Sequence, residues 1–173
     1  MAYCNQTLAG ITLDCTTSLG GIKTVYIANY GDVDTVSLDT TSGEITAITM
    51  SNSAKFKPYQ FRKQTGSMTS TLTVDETAGI NYVSTELNLV FTKMETAKRL
   101  EMSALAIGQL AVIVEDSNNK FYYLGYDDYV SASAGTGNTG QNKGDSNNYS
   151  LTLKDESTTF PYLIAEGVLE SVL

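Results

Sequence analysis

Acidic side chains recur in neighbouring pairs: Asp32 and Asp34, Asp75 and Glu76, Glu115 and Asp116, Asp127 and Asp128, Asp155 and Glu156. Two carboxylates held about 5 to 10 Å apart across a cleft could hydrolyse a glycosidic bond. Most of these pairs instead fall at strand ends or turns, where Asp hydrogen-bonds the local backbone. The chain has no His, which removes Ser-His-Asp, Cys-His and zincin chemistry. Cys4 and Cys15 have no further Cys to complete a zinc tetrahedron and read as reduced thiols of a cytosolic protein. Asp116-Ser117-Asn118-Asn119-Lys120 lacks the spacing of a calcium loop. Gly135-Thr136-Gly137-Asn138-Thr139-Gly140 lacks the Gly-Lys-Ser/Thr ending and the following helix of a phosphate loop, and reads as a flexible interaction loop. No enzyme activity and no catalytic, cofactor or metal site is expected.

One cluster points to binding. Lys55, Lys57, Arg62 and Lys63 crowd into nine positions with Phe56, Tyr59 and Phe61 interleaved, and no acid occurs from Ile45 to Val74. Such a set could grip single-stranded nucleic acid. In a chain of net charge -8, however, a local basic patch more simply meets an acidic surface on another copy, so these four are candidate subunit-interface residues. An acidic chain is a poor partner for DNA phosphates or anionic lipid. With the first basic residue at Lys23 and the longest apolar run Leu110 to Val114, neither a secretory signal nor a membrane span is expected.

The elements that carry these residues are mostly strands. The 173 residues fit one domain, 1–173, with a flexible N-terminal arm over 1–20. Val25 and Ile27, Val33 to Leu38 and Ile45 to Met50 read as successive strands. Phe56 to Gln64, Thr65-Gly66 and Ser67 to Glu76 read as a hairpin. In its second arm Met68, Leu72 and Val74 face one way, and Thr69, Thr71, Thr73 and Asp75 the other, so one face is core and the other is wet or meets a partner. Along Ile80 to Phe91 the apolar parity switches, which predicts a bulge near Val83 to Thr85. Thr92 and Glu95 form a capping box opening the one helix, about 92–107, with Met94, Ala97, Leu100 and Ala104 at helical spacing, a Glu95–Arg99 pair and Gly108 at the C-cap. Leu110 to Glu115 and Lys120 to Gly125 form a second hairpin. The stretch 127–148 is Gly-, Ser- and Asn-rich and reads as a long polar loop. Tyr149 to Leu153 and Phe160 to Ala165 supply the last strands. The fold class is mainly β: an antiparallel two-sheet β-sandwich or barrel with one flanking helix.

Two stretches carry a family resemblance. Leu89-Val90-Phe91-Thr92-Lys93-Met94-Glu95 through the helix to Ala111-Val112-Ile113-Val114-Glu115-Asp116-Ser117-Asn118-Asn119-Lys120-Phe121-Tyr122-Tyr123-Leu124-Gly125 resembles the strand, helix and hairpin of tail tube proteins of tailed bacteriophages. Gly144-Asp145-Ser146-Asn147-Asn148-Tyr149-Ser150-Leu151-Thr152-Leu153, with Glu156 and Pro161, is similar to a Gly-Asp-x-Asn-Gly-Tyr-x-Leu-Thr-Leu pattern of the same class, Asn148 standing where Gly is commoner. The resemblance implies a structural virion protein, assembled in the host cytoplasm, whose homo-oligomeric hexameric rings stack into the tail tube and contact other tail proteins. DNA would pass through the lumen without specific binding, and no membrane is involved. Thr69, Thr71, Thr73 and Asp75 are the candidate lumen-facing residues, because an acidic, Thr-rich wall offers phosphate no cationic hold. Residues 1–20 and 127–148 would order where rings meet. The alternatives are another virion ring or decoration protein, such as a tail terminator, tail completion, connector or capsid accessory protein, and a carbohydrate-binding β-sandwich, which the lack of Trp disfavours.

Overall fold

Runs of alternating side chains rich in β-branched and aromatic residues account for most of the molecule. The computed structural model describes residues 7–173, so Cys4 and the first six residues of the arm lie outside the described residues. Eleven strands and one helix are present among them: β1 Ile22–Asn29, β2 Val33–Asp39, β3 Glu44–Met50, β4 Lys57–Tyr59, β5 Ser67–Asp75, β6 Ile80–Thr92, α1 Thr96–Ile107, β7 Leu110–Asp116, β8 Phe121–Leu124, β9 Ser131–Asn138, β10 Asn148–Ser157 and β11 Tyr162–Ile164. They form a seven-stranded sheet of order β2-β3-β11-β8-β7-β1-β4 and a four-stranded sheet of order β5-β6-β10-β9. All pairings are antiparallel except β11 with β3. Neither sheet closes on itself, so of the two expected forms the molecule adopts the sandwich.

Strand parity divides the apolar residues between two cores. Val25, Ile27, Val112 and Val114 from the larger sheet meet Leu87, Leu89, Leu151 and Leu153 from the smaller one, with Leu105 of α1 closing the layer. Ala111, Ile113, Ile45, Ile48, Phe56, Tyr123 and Val172 form a second core on the other face of the larger sheet. Strand β7 is therefore buried on both faces, which explains its unbroken apolar run.

Several local expectations are corrected. The segments on either side of Thr65-Gly66 do not form a hairpin: β4 pairs with β1, whereas β5 pairs with β6 in the other sheet, and residues 60–66 cross between them. The positive φ of that turn belongs to Gln64, at 67°. Gly66 is needed for closeness instead, since a Cβ there would lie 2.6 Å from Phe61 Cε2 and 2.8 Å from Ile22 Cδ1. The bulge near Val83 to Thr85 is absent; β6 keeps one register against β5 and β10 throughout. The parity switch arises because the β5–β6 hairpin outruns the core, leaving Ile80 and Tyr82 on its outer face.

The helix begins at Thr96, and Thr92 ends β6 opposite Asn148. Continuing the ladder with β10 outcompetes the capping box. Asn147 receives the freed donors, its Oδ1 accepting from the Met94 amide at 2.8 Å and its carbonyl from the Lys93 amide at 2.7 Å. Glu95 pairs with Lys93 at 2.5 Å and Lys98 at 3.8 Å, not with Arg99. The buried stripe of α1 carries Leu105 with Met102 beside it, while Leu100 and Ile107 are exposed. Finally, the polar stretch 127–148 is only in part a loop, because Ser131–Asn138 is strand β9.

Candidate functional site

The smaller sheet has one face against the core and one face outward, and cross-strand pairing assigns each residue. Thr69 lies opposite Glu86, Thr71 opposite Ser84, Thr73 opposite Tyr82 and Asp75 opposite Ile80. All four candidate wall residues are exposed on the outward face. On β10 the same face presents Ser150, Thr152, Lys154 and Glu156, opposite Val90, Asn88, Glu86 and Ser84.

Hydroxyls on this face satisfy one another across strands: Thr152 Oγ1 donates to Asn88 Oδ1 at 2.6 Å, and Thr136 Oγ1 and Ser150 Oγ lie 2.6 Å apart. Its charges are three carboxylates, Asp75, Glu86 and Glu156, against Lys154, whose ammonium is 2.7 Å from Glu156. The only cation of the central strands is thus paired within the face. A surface of self-bonded hydroxyls with a small negative excess offers phosphate no hold.

Both edges of this sheet, β5 and β9, lack a further strand among the described residues. Strand β9 exists because its inward positions are nearly bare. A Cβ on Gly137 would stand 3.1 Å from Met94 Cε and 3.1 Å from Tyr149 Cε1, and one on Gly135 would touch Leu151 and Met102. Glycine at 137 lets the Met94 and Tyr149 side chains lie close over the edge strand. Beyond the core, the β5–β6 hairpin carries large apolar side chains on both faces, Leu72 and Val74 at 46% and 58% exposure and Ile80 and Tyr82 at 49% and 37%. Asp75 Oδ1 closes its turn by accepting from the Thr77 and Ala78 amides at 2.9 and 3.1 Å, with Gly79 at φ 66°.

The four basic residues do not form one patch with a common strand pair. Lys57 lies on β4 at the edge of the larger sheet, Lys55 donates to the Leu173 carbonyl, and Arg62 and Lys63 sit on the crossing segment. All four are exposed, and none makes an ion pair among the described residues.

Several of the acids flagged by their pairing tie down turns and loops. Asp116 Oδ1 accepts from the Asn118 and Lys120 amides, each at 2.8 Å, and Asp127 Oδ2 from the Thr158 amide at 2.8 Å; these bonds hold both carboxyls below the usual range. Asp39 and Asp145 are lowered for the same reason, by the amides of Thr41 and Asn142. Asp155 differs. Buried beside Thr85, it accepts the Gly125 amide at 3.2 Å, and burial pushes it up to about 6, with the charges of Asp127, Asp128 and Glu156 adding to the effect. Glu115, also buried, takes Lys23 Nζ at 2.9 Å and the Tyr26 hydroxyl at 3.4 Å.

Sequence reasoning found the hydroxyl face by its alternation but missed the edge strand β9, which carries almost no apolar side chain, and the exposed apolar hairpin end. The signal for the latter was present: Ile80 and Tyr82 sit out of phase with Leu87 and Leu89. Among the described residues no helix is long and apolar enough to cross a membrane. Compared with known proteins, the chain matches no family model, no curated protein and no solved structure.

Proposed function

We propose that this chain is a structural subunit of a tailed-bacteriophage virion, forming hexameric rings that stack into the tail tube through which DNA leaves. The observation that carries the reading is the smaller sheet: four antiparallel strands, both edges open, with a hydroxyl-rich, slightly acidic outward face. Because the strand number is even and the directions alternate, a rotated neighbour brings its β5 antiparallel to β9, so one ladder continues from copy to copy. This removes the exposed edges that an isolated sheet leaves open to aggregation.

The dimensions agree. Six copies supply about 24 strands, and at roughly 4.8 Å between strands the perimeter is about 115 Å and the bore about 37 Å across backbones, wide enough for a duplex. Thr69, Thr71, Thr73 and Asp75 line that bore, with Glu86 and Glu156 repelling phosphate and Lys154 held by its own Glu156. Leu72 and Val74, on the opposite face of the β5–β6 hairpin end, are covered by adjoining copies, while Ile80 and Tyr82 stand on the bore face beside Thr73 and Asp75; the unpaired Lys55, Lys57, Arg62 and Lys63 meet acids of a neighbour.

Electron microscopy of the purified protein tests the proposal. Long tubes of uniform width are expected. Isolated rings would replace it with a terminator, completion or connector role, and a strict monomer at high concentration would overturn it.

A further inference from the structure

The described part of the arm, residues 7–20, is exposed at every position. Leu8, Ile11 and Leu13 are 90%, 103% and 90% accessible, so these aliphatic side chains have no seat on their own chain. Among the described residues the arm is tied to the body of the chain only at its root, where the Leu19 amide donates to Asn118 Oδ1 at 2.8 Å, Asn118 Nδ2 donates to the Leu19 carbonyl at 2.9 Å and Ser117 Oγ donates to the Gly20 carbonyl at 3.1 Å. Its pattern is that of a half-buried strand: Ala9, Ile11 and Leu13 share one face, and Gly10, Thr12 and Asp14 the other. Residues 7–13 carry no charge.

The larger sheet holds an edge that such a strand fits. On the side away from β2, β3 meets β11 only at Glu44 and Ile45, with the Ala165 amide closing on the Ile45 carbonyl at 2.9 Å. From Thr46 to Met50 that edge has no strand partner among the described residues. A groove of about 880 Å³ runs along it, walled on the far side by residues 53–55 and 166–172. Ile48 and Val172 are buried in its floor, and Met50 and Val168 are half-buried.

We propose that this groove seats the arm of a second copy of this chain, residues 9–13 adding as a strand to the open edge of β3 with Ile11 and Leu13 against Ile48, Met50 and Val168. The lengths match, since five residues of arm and the five residues Thr46–Met50 each span about 17 Å as strand. Charge agrees as well: the groove is lined by one cation and one anion, Lys55 and Glu166, and the uncharged arm segment leaves neither opposed. Backbone bonding gives the affinity and the alternate side chains give the selectivity, as in other strand-addition interfaces. The inference rests on the self-assembly proposed above and names a link between copies that edge pairing of the smaller sheet does not provide.

The test uses the full chain with p-benzoylphenylalanine replacing Ile11, mixed with ¹⁵N-labelled wild-type chain and irradiated. Cross-links from the light arm to heavy peptides containing residues 46–50 or 166–172 are expected. Cross-links that map elsewhere, fall within one chain, or fail to form overturn the inference. With p-benzoylphenylalanine placed at Leu8 instead, the double variant Ile11→Asp with Leu13→Asp keeps the melting temperature of the chain without it, because both positions are solvent-exposed, and lowers the groove cross-link yield at least tenfold; an unchanged yield also overturns the inference. Tubes without groove cross-links defeat this inference alone. Groove cross-links between copies without tubes defeat the tail tube reading alone.

Discussion

Replacing Asp155 by Asn makes the protein more stable at pH 8 and leaves it nearly unchanged at pH 4. The carboxyl is 4% exposed, on the inward face of β10, with the Gly125 amide as its hydrogen-bond donor. Burial raises its pKa from 3.8 to about 6, so the folded state disfavours the ionised form by about 3 kcal/mol, at about 1.4 kcal/mol per unit. The folded value stands above the unfolded one; the stabilising contribution is therefore fully present below about pH 3.8 and lost as pH rises through about 6. Asn keeps an acceptor for the Gly125 amide and carries no charge. A gain of about 1–3 kcal/mol at pH 8 follows, shrinking to within about 0.5 kcal/mol at pH 4. Urea titrations followed by circular dichroism from pH 4 to 8 measure it, and the slope against urea should not change. Asp39, Asp116, Asp127 and Asp145, whose carboxyls are lowered, act with the opposite sign but are common to both proteins and cancel in the difference. A less stable variant at pH 8, or a difference that ignores pH, refutes the reasoning.

Leu105→Ala removes the one buried side chain of α1 and costs about 2–5 kcal/mol, read as a lower urea midpoint. Gly137→Val places carbon 3.1 Å from Met94 Cε and Tyr149 Cε1, so both side chains must shift off the edge strand; a loss of about 1–3 kcal/mol and earlier amide exchange in β9 are expected. Leu72→Asp combined with Val74→Asp leaves the melting temperature within a degree or two, because both side chains are exposed, yet abolishes ring and tube formation in sedimentation and electron microscopy.

Alternation made much of the fold legible. Strands β2, β3, β7, β8 and β10 follow from β-branched and aromatic runs, and the outward face of β5 from its threonines. Propensity misled where neighbours decide. Thr92 and Glu95 have the chemistry of a helix start, but a strand already running beside Asn148 continues through Thr92. Met94, Ala97, Leu100 and Ala104 have helical spacing, and so have Met102 and Leu105; only the sheets beneath determine which stripe is covered. Thr65-Gly66 is a turn, but the strands flanking it serve different sheets, a distinction that local residues do not encode. Strand β9 was invisible because its residues are small so that Met94, Met102 and Tyr149 can come close. The candidate surface was legible on one strand only, since its other members, from Ser84 to Glu156, reach it through pairings between distant segments.

The segment from Thr139 to Asn147 leaves and re-enters the sheet at a directly paired couple, Asn138 opposite Asn148, and is cinched by Asp145, whose Oδ2 accepts from the Gln141 and Asn142 amides at 2.8 and 2.7 Å. Its two ends are thus held by the ladder, and Asn147 by the Lys93 and Met94 amides, whatever the residues between Gly140 and Gly144 are. Doubling its length adds only about 0.6 kcal/mol of closure entropy. That makes it the position at which a foreign peptide or a small folded module can be grafted, displayed once per subunit and repeated at the spacing of whatever array the subunits form.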